Sequence, residues 1–570
     1  MSPLPADERP LILRLSQWAW EFGHETAYTF VDHSTDPAGV RTHLTWAELD
    51  RRARAVAAAL RETSSPGDRA AILAPQSPDY LVAFFGCLYA RVVAVPLFSP
   101  DLPGHADRLT SVYRDAEPST VITTSASADR VETFLDEQGT RPKGVLLADR
   151  VGDGRWTDEP IRPDDIAYLQ YTSGSTRVPA GVVITHRNLT ANAVQLHHAG
   201  EATPRTSSGV SWLPLFHDMG LVFTAALPLV HANPCVFMDP VAFVMRPLRW
   251  LELLSAQRDV YTAGPNFAYE YLTRHVTDEE KRQLDLSGVR MLLNGAEPIR
   301  PATLEEFFAA FASCGLRAEA QSPAYGLAEA TVYVLACSPS TPPTTAAFDR
   351  AALAAGVARP ADDDAATLVS CGTPFGQHVA VVAPDGRVLP DGRVGELWVH
   401  GANVAAGYWG RTDATEQTFR GVLADPADGL PARPWLRTGD LGFRHAGEYY
   451  VTGRDKDLII IDGRNHYPQD VEHTAATAHP GVRAGYVTAF ADTSGGGERL
   501  VVVAERNRRV PVRRLDSAAV AAAVRGAVQR DHGLTVDDFV LVEPGSLPRT
   551  SSGKLTRTAC RDAYRAGRFR

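Results

Sequence analysis

The chain has 570 residues, of which 44% are hydrophobic and 22% charged, and its formal net charge at pH 7 is -10. This length exceeds what one hydrophobic core usually organises, so we expect two or more domains. No block of Lys and Arg interrupts the charge pattern, which argues against nucleic-acid binding, and no stretch approaches the roughly 20 apolar residues that a membrane span requires.

The start of the chain and its cysteines indicate a cytoplasmic protein. Residues 1–30 mix acids, Trp and Arg, and they lack the basic start, apolar middle and small-residue end of a secretory signal. The 6 cysteines are scattered without a CxxC pair, a distribution that favours buried thiols over disulfides or a structural zinc site. A monomer is the default expectation for the oligomeric state.

Helical and strand patterns alternate through the first part of the chain. The segment from Thr45 to Glu48 reads as a capping box, and apolar residues then recur on one helical face, which predicts a helix. A second helical stretch begins at Asp79. Short β-rich runs lie at 69–74, 92–97, 119–124 and 143–148. This rhythm predicts an α/β layered fold with largely parallel sheets.

The pattern changes in the last third of the chain. Short strands and Gly-rich corners from about residue 395 predict a small β-rich subdomain, and from about 456 the pattern becomes a compact α/β unit. Within that unit, β-rich runs lie at 500–505 and 539–544, and a helix is predicted over 516–531.

We therefore predict a boundary at Asp455/Lys456 between a large domain, 1–455, and a small one, 456–570. Residues 338–367 are biased towards Pro, Ala and Asp and predict an insertion or loop with a short helical stretch.

Two strand-like runs within residues 166–185 flank a loop of small polar residues, namely Thr172, Ser173, Gly174, Ser175 and Thr176. Small residues let backbone N–H groups approach an anion, and the hydroxyls add further donors, so the loop suits a phosphate. It does not match GxxxxGK[ST], and it joins two strands instead of opening a helix, which disfavours a Walker-type NTPase. Taken alone, such a sequence is usually a polar turn.

The loop belongs to a series of motifs that occur in one order along the chain. They are YTSGSTRVPAGV (171–182), WLPLFHDMG (212–220), LLNGAEP (292–298), YGLAEAT (325–331), GELWVHG (395–401), RTGDLG (437–442), GRDKDLIIIDGRNHYPQDVE (453–472) and LPRTSSGKLTR (547–557). This series resembles that of the superfamily of acyl-CoA synthetases, peptide-synthetase adenylation domains and luciferases, from about residue 20 to the C-terminus. The resemblance implies the adenylate-forming fold, with a large N-terminal domain of two α/β layered subdomains plus a small β-rich subdomain, and a small mobile C-terminal α+β domain.

Within the superfamily, LQYTSGST, SWLPLFHDMGL, GPNFAYE (264–270), YGLAEATVYV and GRNHYPQDVE resemble the fatty acyl-AMP ligases. That branch makes an acyl-adenylate from ATP, with Mg²⁺, and a fatty acid, and it passes the acyl group to the phosphopantetheine thiol of an acyl carrier protein. It also carries an insertion that CoA-using relatives lack, for which 338–367 is the candidate. The resemblance implies a medium- to long-chain fatty acid and a separate carrier protein in polyketide, lipopeptide or complex-lipid biosynthesis.

The resemblance assigns catalytic roles to three residues. Lys554 matches the lysine that bridges the substrate carboxylate and the α-phosphate of ATP. Glu329 matches the carboxylate that helps to hold Mg²⁺ against the phosphates. His217 matches a residue near the reacting carboxylate, although a histidine with a purely structural hydrogen bond is an equal alternative.

Other matched positions bind the nucleotide or permit domain movement. Tyr325, followed by Gly326, matches the aromatic that stacks on adenine. Asp440 and Arg454 match the residues that contact the ribose, and Lys456 matches the hinge between the domains. The opposite wall of the base site is implied at Gly295, Ala296 and Glu297.

The phosphate loop departs from the superfamily pattern, which usually ends in TGxPKG. Here the Gly becomes Arg177 and the Lys becomes Ala180. The loss of that lysine removes one cation from the β- and γ-phosphates, and we hypothesise that Arg177 partly replaces its charge. Two alternatives stay open, a fatty acyl-CoA synthetase that uses free CoA and a non-catalytic protein that binds nucleotide or acyl chains. An amino-acid-activating domain is disfavoured, because GPNFAYE (264–270) lacks the F-D-x-S type segment whose Asp meets a substrate ammonium.

Overall fold

Helices and strands alternate along the computed structural model, which describes residues 9–102, 105–154, 156–171, 179–363, 365–426, 429–432, 434–461, 464–494, 498–511, 513, 515–549 and 555–569. The first elements in chain order are α1 (Ile12–Glu21), β1 (Thr26–Asp32), β2 (Val40–Thr45), α2 (Trp46–Thr63), β3 (Arg69–Leu73), α3 (Pro78–Ala90), β4 (Val93–Leu97), α4 (Ala106–Ala116), β5 (Thr120–Thr123), α5 (Ala128–Gln138), β6 (Gly144–Leu147), β7 (Ile166–Tyr171), β8 (Gly181–Thr185) and α6 (His186–Ala199).

The middle of the chain continues the alternation. It contains β9 (Ser208–Ser211), α7 (Asp218–Leu221), α8 (Leu227–Leu229), β10 (Cys235–Met238), α9 (Pro240–Met245), α10 (Leu248–Ser255), β11 (Val260–Pro265), α11 (Asn266–His275), α12 (Asp278–Lys281), β12 (Val289–Gly295), α13 (Pro301–Phe311), β13 (Gln321–Tyr325) and β14 (Leu335–Ala336).

The remaining elements are shorter and richer in strands up to residue 454. They are β15 (Thr345–Asp349), α14 (Arg350–Ala354), β16 (Ala365–Val369), β17 (His378–Val382), β18 (Gly395–His400), β19 (Gly407–Tyr408), α15 (Thr412–Phe419), β20 (Leu436–His445), β21 (Glu448–Arg454), β22 (Ile459–Ile461), β23 (Arg464–His466), α16 (Pro468–Thr477), β24 (Val482–Asp492), β25 (Arg499–Arg506), α17 (Ser517–His532), β26 (Val536–Val542) and α18 (Arg557–Arg565).

Two large sheets form the body of the molecule. One has the strand order β14-β13-β12-β11-β9-β10-β1-β2 and the other β19-β8-β7-β4-β3-β5-β6. The first is antiparallel only at its two ends, and the second only where β8 pairs with β7 and β19. Parallel sheets need helices on both faces, and the predicted α/β fold with largely parallel sheets is confirmed.

The helix α3 shows why the layers hold together. Every residue of α3 except Asp79 is buried, and a helix that is apolar on all sides belongs inside a protein. It packs against α2, whose first residue, Trp46, follows the predicted cap: the Thr45 side chain accepts a hydrogen bond from the Glu48 N–H at 3.2 Å. The N-terminus predicted for this helix is therefore confirmed.

The β-rich region predicted from residue 395 forms an antiparallel sheet in the order β17-β18-β20-β21. Residues 338–367 contain more structure than predicted, because the pair β15-β16 flanks the short helix α14. Phe348 on β15 anchors this unit, with its ring centroid 4.9 Å from that of Phe443 and 5.5 Å from that of Tyr450. That these residues are a family-specific insertion stays a prediction.

The C-terminal part has a core of its own. Its three-stranded sheet, β24-β25-β26, packs with α16 and α17 around buried Val471, Leu500, Val502 and Val524. The predicted runs at 500–505 and 539–544 correspond to β25 and β26, and the predicted helix corresponds to α17. The boundary at Asp455/Lys456 stays a prediction.

The structure confirms the prediction made for the cysteines. The 6 cysteines are all free and buried, as predicted. Within the described ranges, no helix is long and apolar enough to cross a membrane.

Polar side chains connect α16 to the preceding part of the chain. Arg300 Nη1 lies 3.4 Å from His473 Nδ1, and Gln469 Nε2 donates to the Thr452 carbonyl. Burial raises the pKa of Asp470 on α16 to about 6, and the positive charge of Arg350 on α14 opposes that shift. The α14 unit and the C-terminal part are thus coupled electrostatically.

The raised pKa of Asp470 predicts a pH-dependent stability. Because its folded-state pKa of about 6 lies above the ordinary 3.8, ionising Asp470 destabilises the folded state at pH values above about 6. The penalty disappears as the pH falls below the ordinary value. We expect Asp470→Asn to raise Tm at pH 8 and to leave it unchanged near pH 3.5, measured by differential scanning fluorimetry. Asp425→Asn, at an exposed residue, is the control. Equal Tm differences for Asp470→Asn at both pH values would contradict the assignment.

Candidate active site

Three residues from separate motifs meet at the carboxylate of Asp440. Tyr325 lies at the end of β13, Asp440 lies on β20, and Arg454 ends β21 directly opposite Asp440 in the antiparallel register. The Tyr325 hydroxyl donates to Asp440 Oδ2 at 2.7 Å, and Arg454 Nε donates to Asp440 Oδ1 at 2.9 Å. We call these three residues the Asp440 cluster.

Charge and burial fix the protonation states of Arg454 and Tyr325. The Asp440 carboxylate is the main cause that raises the pKa of Arg454, and burial, with the same carboxylate, raises the pKa of Tyr325 well above its ordinary value. Arg454 therefore stays a cation and Tyr325 a neutral donor. A buried carboxylate with both oxygens occupied in this way is a fixed acceptor, suited to hydroxyl donors from a ligand.

The predicted wall of the base site lies beside Tyr325. Gly295 ends β12, the parallel neighbour of β13, and a Cβ on Gly295 would lie only 3.1 Å from the Ala324 carbonyl oxygen. Glu297 Oε1 accepts a hydrogen bond of 2.6 Å from the Phe267 N–H, which anchors the turn. The carboxyl ends of adjacent parallel strands are where open α/β sheets bind ligands.

The Ala296 backbone between these two residues has φ of +68°, a left-handed conformation that non-glycine residues rarely adopt. Strained backbone of this kind is retained where the surrounding structure requires it, and ligand sites are common places for it. The turn that would face the base therefore has a fixed, unusual shape.

Gly326 allows the chain to fold back sharply after Tyr325. A Cβ at Gly326 would lie 1.6 Å from the Val332 carbonyl oxygen, so no larger residue fits. The Val334 N–H returns a hydrogen bond of 3.1 Å to the Tyr325 carbonyl. This turn contains Glu329, which lies in the short 3-10 helix Ala328–Ala330.

Glu329 shares the electrostatic environment of the Asp440 cluster. Burial raises its pKa, Arg454 lowers it and Asp440 raises it. Its Oε1 accepts a hydrogen bond of 2.7 Å from the Tyr408 hydroxyl, and its carbonyl accepts one of 2.9 Å from the Ala405 N–H. Magnesium is usually held by one or two carboxylates together with waters and substrate phosphates, and Glu329 fits such a site.

His217 is fixed next to the start of the phosphate loop. Its Nδ1 lies 2.6 Å from Asp218 Oδ1, and the carbonyl of the preceding Phe216 accepts a hydrogen bond of 3.1 Å from Gln170 Nε2. Gln170 is the penultimate residue of β7, just before the loop. The bond with Asp218 fits the structural alternative for His217 as well as the catalytic one.

Some predicted site residues lie outside the described residues, namely Thr172, Ser173, Gly174, Ser175, Thr176, Arg177 and Lys554. Lys456 is described and is exposed in the 3-10 helix Asp455–Asp457. Its neighbour Asp457 binds Arg557 through Oδ2 and Nη1 at 3.0 Å. The roles of all these residues stay predictions.

Sequence reasoning missed two supports of the site. Tyr408, which binds Glu329, follows the GELWVHG motif within the run GYWG, and no spacing rule marked it. Glu396 lies inside that motif, which assigns it no role, yet its Oε1 accepts a hydrogen bond of 2.8 Å from the Gly439 N–H, next to Asp440. In both cases the bonded partners lie far apart in the sequence.

The tight turn at Gly326 predicts a sensitive position. Gly326→Ala would force the backbone near Val332 to move, so we expect Tm to fall by about 3 °C or more and the stabilisation by ATP to be lost. Gly152→Ala is the control, because a Cβ there would meet no atom within 4 Å. Equal Tm values for the two variants, measured by scanning fluorimetry with and without ATP, would refute the role of this turn.

Two α/β layers, a small antiparallel sheet and a C-terminal α/β unit, with side chains from separate motifs gathered at strand ends, define an adenylate-forming enzyme fold. Residues 15–409 match the model of the AMP-binding enzyme family, and residues 456–570 match the AMP domain of the Disco-interacting protein 2-like family. The chain therefore belongs to the AMP-binding enzyme family.

Named relatives and a solved structure show which members of the family the chain resembles most specifically. The chain is 42% identical to the long-chain-fatty-acid–AMP ligase FadD32 of Mycobacterium marinum, over 98% of this chain and 95% of that protein. It is 43% identical to FadD25 of Mycobacterium tuberculosis, named as a fatty-acid–CoA ligase, over 96% of each. A structure from a study of fatty acyl-adenylate ligases from E. coli and L. pneumophila matches with a TM-score of 0.87 and 31% identity, covering 99% of both chains. The resemblance to fatty acyl-AMP ligases is confirmed.

Proposed function

We propose that the chain activates a medium- to long-chain fatty acid with ATP, giving acyl-AMP and pyrophosphate, and then transfers the acyl group to the phosphopantetheine thiol of a separate acyl carrier protein. The observation that carries the proposal is the convergence of the Asp440 cluster with Glu329 in one electrostatic environment. A fixed acceptor for ribose hydroxyls and a carboxylate for a cation are both needed to hold ATP.

In the proposed reaction, an oxygen of the fatty-acid carboxylate attacks the α-phosphorus of ATP, and the bond from that phosphorus to pyrophosphate breaks. Asp440 accepts hydrogen bonds from the ribose, with Arg454 beside the same sugar, while Tyr325 and the Gly295–Glu297 turn enclose the base. Lys554 bridges the two reacting anions. These contacts fix the geometry of attack and stabilise charge as it develops on the phosphate.

Glu329 is the residue that would hold Mg²⁺. When bound, the ion neutralises charge on the phosphates. His217, beside the start of the phosphate loop, would lie where the fatty-acid carboxylate meets the nucleotide.

The second step requires the small domain, 456–570, to turn about Lys456, which removes Lys554 and admits the carrier's thiol. The thiol sulfur attacks the acyl carbon, the bond from that carbon to the phosphate oxygen breaks, and AMP leaves as the thioester forms. The unit at 338–367 is proposed as the family-specific insertion. The positive charge of Arg350, within this unit, lowers the pKa of Asp470 on α16. We also propose that the enzyme acts in the cytoplasm, where ATP is available, as a monomer.

Pyrophosphate exchange tests the first step. With ATP, Mg²⁺ and fatty acids, we expect the purified protein to exchange labelled pyrophosphate, and Lys554→Ala to reduce the rate at least about 100-fold, because a charge-stabilising contact in the transition state is lost. Lys143→Ala, at a side chain that is 69% exposed, should leave the rate unchanged. No exchange with any fatty acid would favour the non-catalytic binding protein.

Mass spectrometry of the products then distinguishes acyl transfer to a carrier protein from the remaining alternative, acyl transfer to free CoA. With a holo carrier protein we expect acyl-carrier to accumulate, and with CoA alone we expect acyl-AMP to persist. Acyl-CoA forming as readily as acyl-carrier would favour the CoA synthetase. Lauric and palmitic acids are suitable first substrates because the proposal specifies medium to long chains.

The altered phosphate loop gives a separate prediction. If Arg177 replaces the missing lysine charge, Arg177→Gly should raise the KM for ATP by about tenfold, the effect of losing one charge-assisted hydrogen bond. Arg150→Gly is the control, because Arg150 is 72% exposed and its nearest acidic oxygen is 3.8 Å away. An unchanged KM in Arg177→Gly would exclude this compensation.

A further inference from the structure

The chain around β19 crosses from the turn after β13, in one large sheet, to β8 of the other. At its start, the Ala405 N–H donates to the Glu329 carbonyl at 2.9 Å. At its end, the Trp409 N–H donates to the Gly181 carbonyl at 2.7 Å, and β19 pairs with β8, the strand that follows the phosphate loop. Residues 405–409 therefore connect the backbone at Glu329 to the exit of the loop.

Tyr408 lies in the middle of this crossing and is fixed from three sides. Its hydroxyl donates to Glu329 Oε1 at 2.7 Å, and its N–H donates to Thr415 Oγ1 at 2.9 Å. Its ring packs edge-on against Phe419 with centroids 5.1 Å apart. These contacts leave the hydroxyl little freedom, so its position defines that of the Glu329 carboxylate.

The chemical nature of the donor is informative. Within the described part of the chain, Tyr408 is the side chain that donates to Glu329. An Arg or Lys at this place would neutralise the carboxylate and compete with a metal ion. A phenol instead fixes one oxygen and leaves the negative charge on the carboxylate. A glutamate also loses side-chain conformational entropy when it binds an ion. Because the hydrogen bond from Tyr408 already restricts Glu329, less of this entropy is lost when the ion binds.

We propose that Tyr408 is a positioning residue for the metal carboxylate: it holds Glu329 Oε1 and presents Oε2 to the divalent cation that accompanies ATP. This inference rests on the proposed function. Tyr408 touches neither substrate nor metal and acts through Glu329. Through the pairing of β19 with β8, it also keeps that carboxylate in register with the strand that leaves the phosphate loop.

The test separates an effect on metal binding from an effect on nucleotide binding. ATP binding to wild type and Tyr408→Phe is measured by isothermal titration calorimetry in EDTA and then across a series of Mg²⁺ concentrations. We expect the Mg²⁺ concentration for the half-maximal gain in ATP affinity to rise about five- to tenfold in Tyr408→Phe, as for the loss of one hydrogen bond to a charged group. The affinity for ATP in EDTA should stay within about twofold of wild type. A purely structural role for Tyr408 would change both affinities together.

Two further variants control the test. Tyr89→Phe removes another tyrosine hydroxyl that donates to a carboxylate, that of Asp50 at 2.5 Å, and should leave the Mg²⁺ dependence unchanged. Thr415→Val removes the side-chain oxygen that accepts from the Tyr408 N–H, and it leaves the Tyr408 hydroxyl in place. It should shift the Mg²⁺ dependence in the same direction by a smaller factor, and it replaces Tyr408→Phe if that variant does not fold.

The outcomes are distinct. An unchanged Mg²⁺ dependence in both Tyr408→Phe and Thr415→Val overturns the inference while the proposed function stands. Wild-type protein whose ATP binding does not respond to Mg²⁺ at all overturns the proposed metal role of Glu329 itself, and with it this inference.

Discussion

The buried carboxylate of Asp440 is the constraint on which the site depends. A buried charge is costly unless it is paired and hydrogen-bonded, and here both oxygens are occupied by Tyr325 and Arg454. These two partners come from strands of different sheets, so the carboxylate can be satisfied only when the β-rich sheet docks correctly against β13. Assembly of the subdomains and construction of the site are thus one event.

The surrounding turns follow from that docking. Gly439 adopts φ of +70° and donates its N–H to Glu396, which orients the chain just before Asp440. On the other side, Gly326 and the left-handed Ala296 shape the turns after β13 and β12. Glu329 then lies close enough to Asp440 and Arg454 for both to affect its pKa. The acceptor for a sugar and the carboxylate for a cation are consequently held by one network.

Much of the fold could be predicted because its signals are local. The cap at Thr45, the buried helix α3 and the alternation of short apolar strands depend on neighbouring residues, and each was predicted near its observed position. The strands β15 and β16 were missed because five Ala-rich residues each give no clear period of two, and their stability comes from Phe348 packing on β20 and β21.

The site could be predicted only through the order of its motifs. Nothing local distinguishes Tyr325 from a core tyrosine or Asp440 from a surface acid, and their bond joins residues 115 positions apart. Tyr408 was missed for the same reason, since its partner Glu329 lies 79 positions earlier. Such pairs are determined by tertiary structure. A single sequence indicates them only when its whole series of motifs resembles that of a known family.

The contacts of α16 with the preceding part of the chain have a thermodynamic consequence. Those described above, Arg300 with His473 and Gln469 with Thr452, are polar, and forming them replaces hydrogen bonds to water. An exchange of this kind changes the free energy by only about 1 kcal/mol for each bond. These two contacts together therefore contribute only about 2 kcal/mol, a free energy that the binding of a nucleotide or a carrier would be enough to offset if the proposed hinge turns.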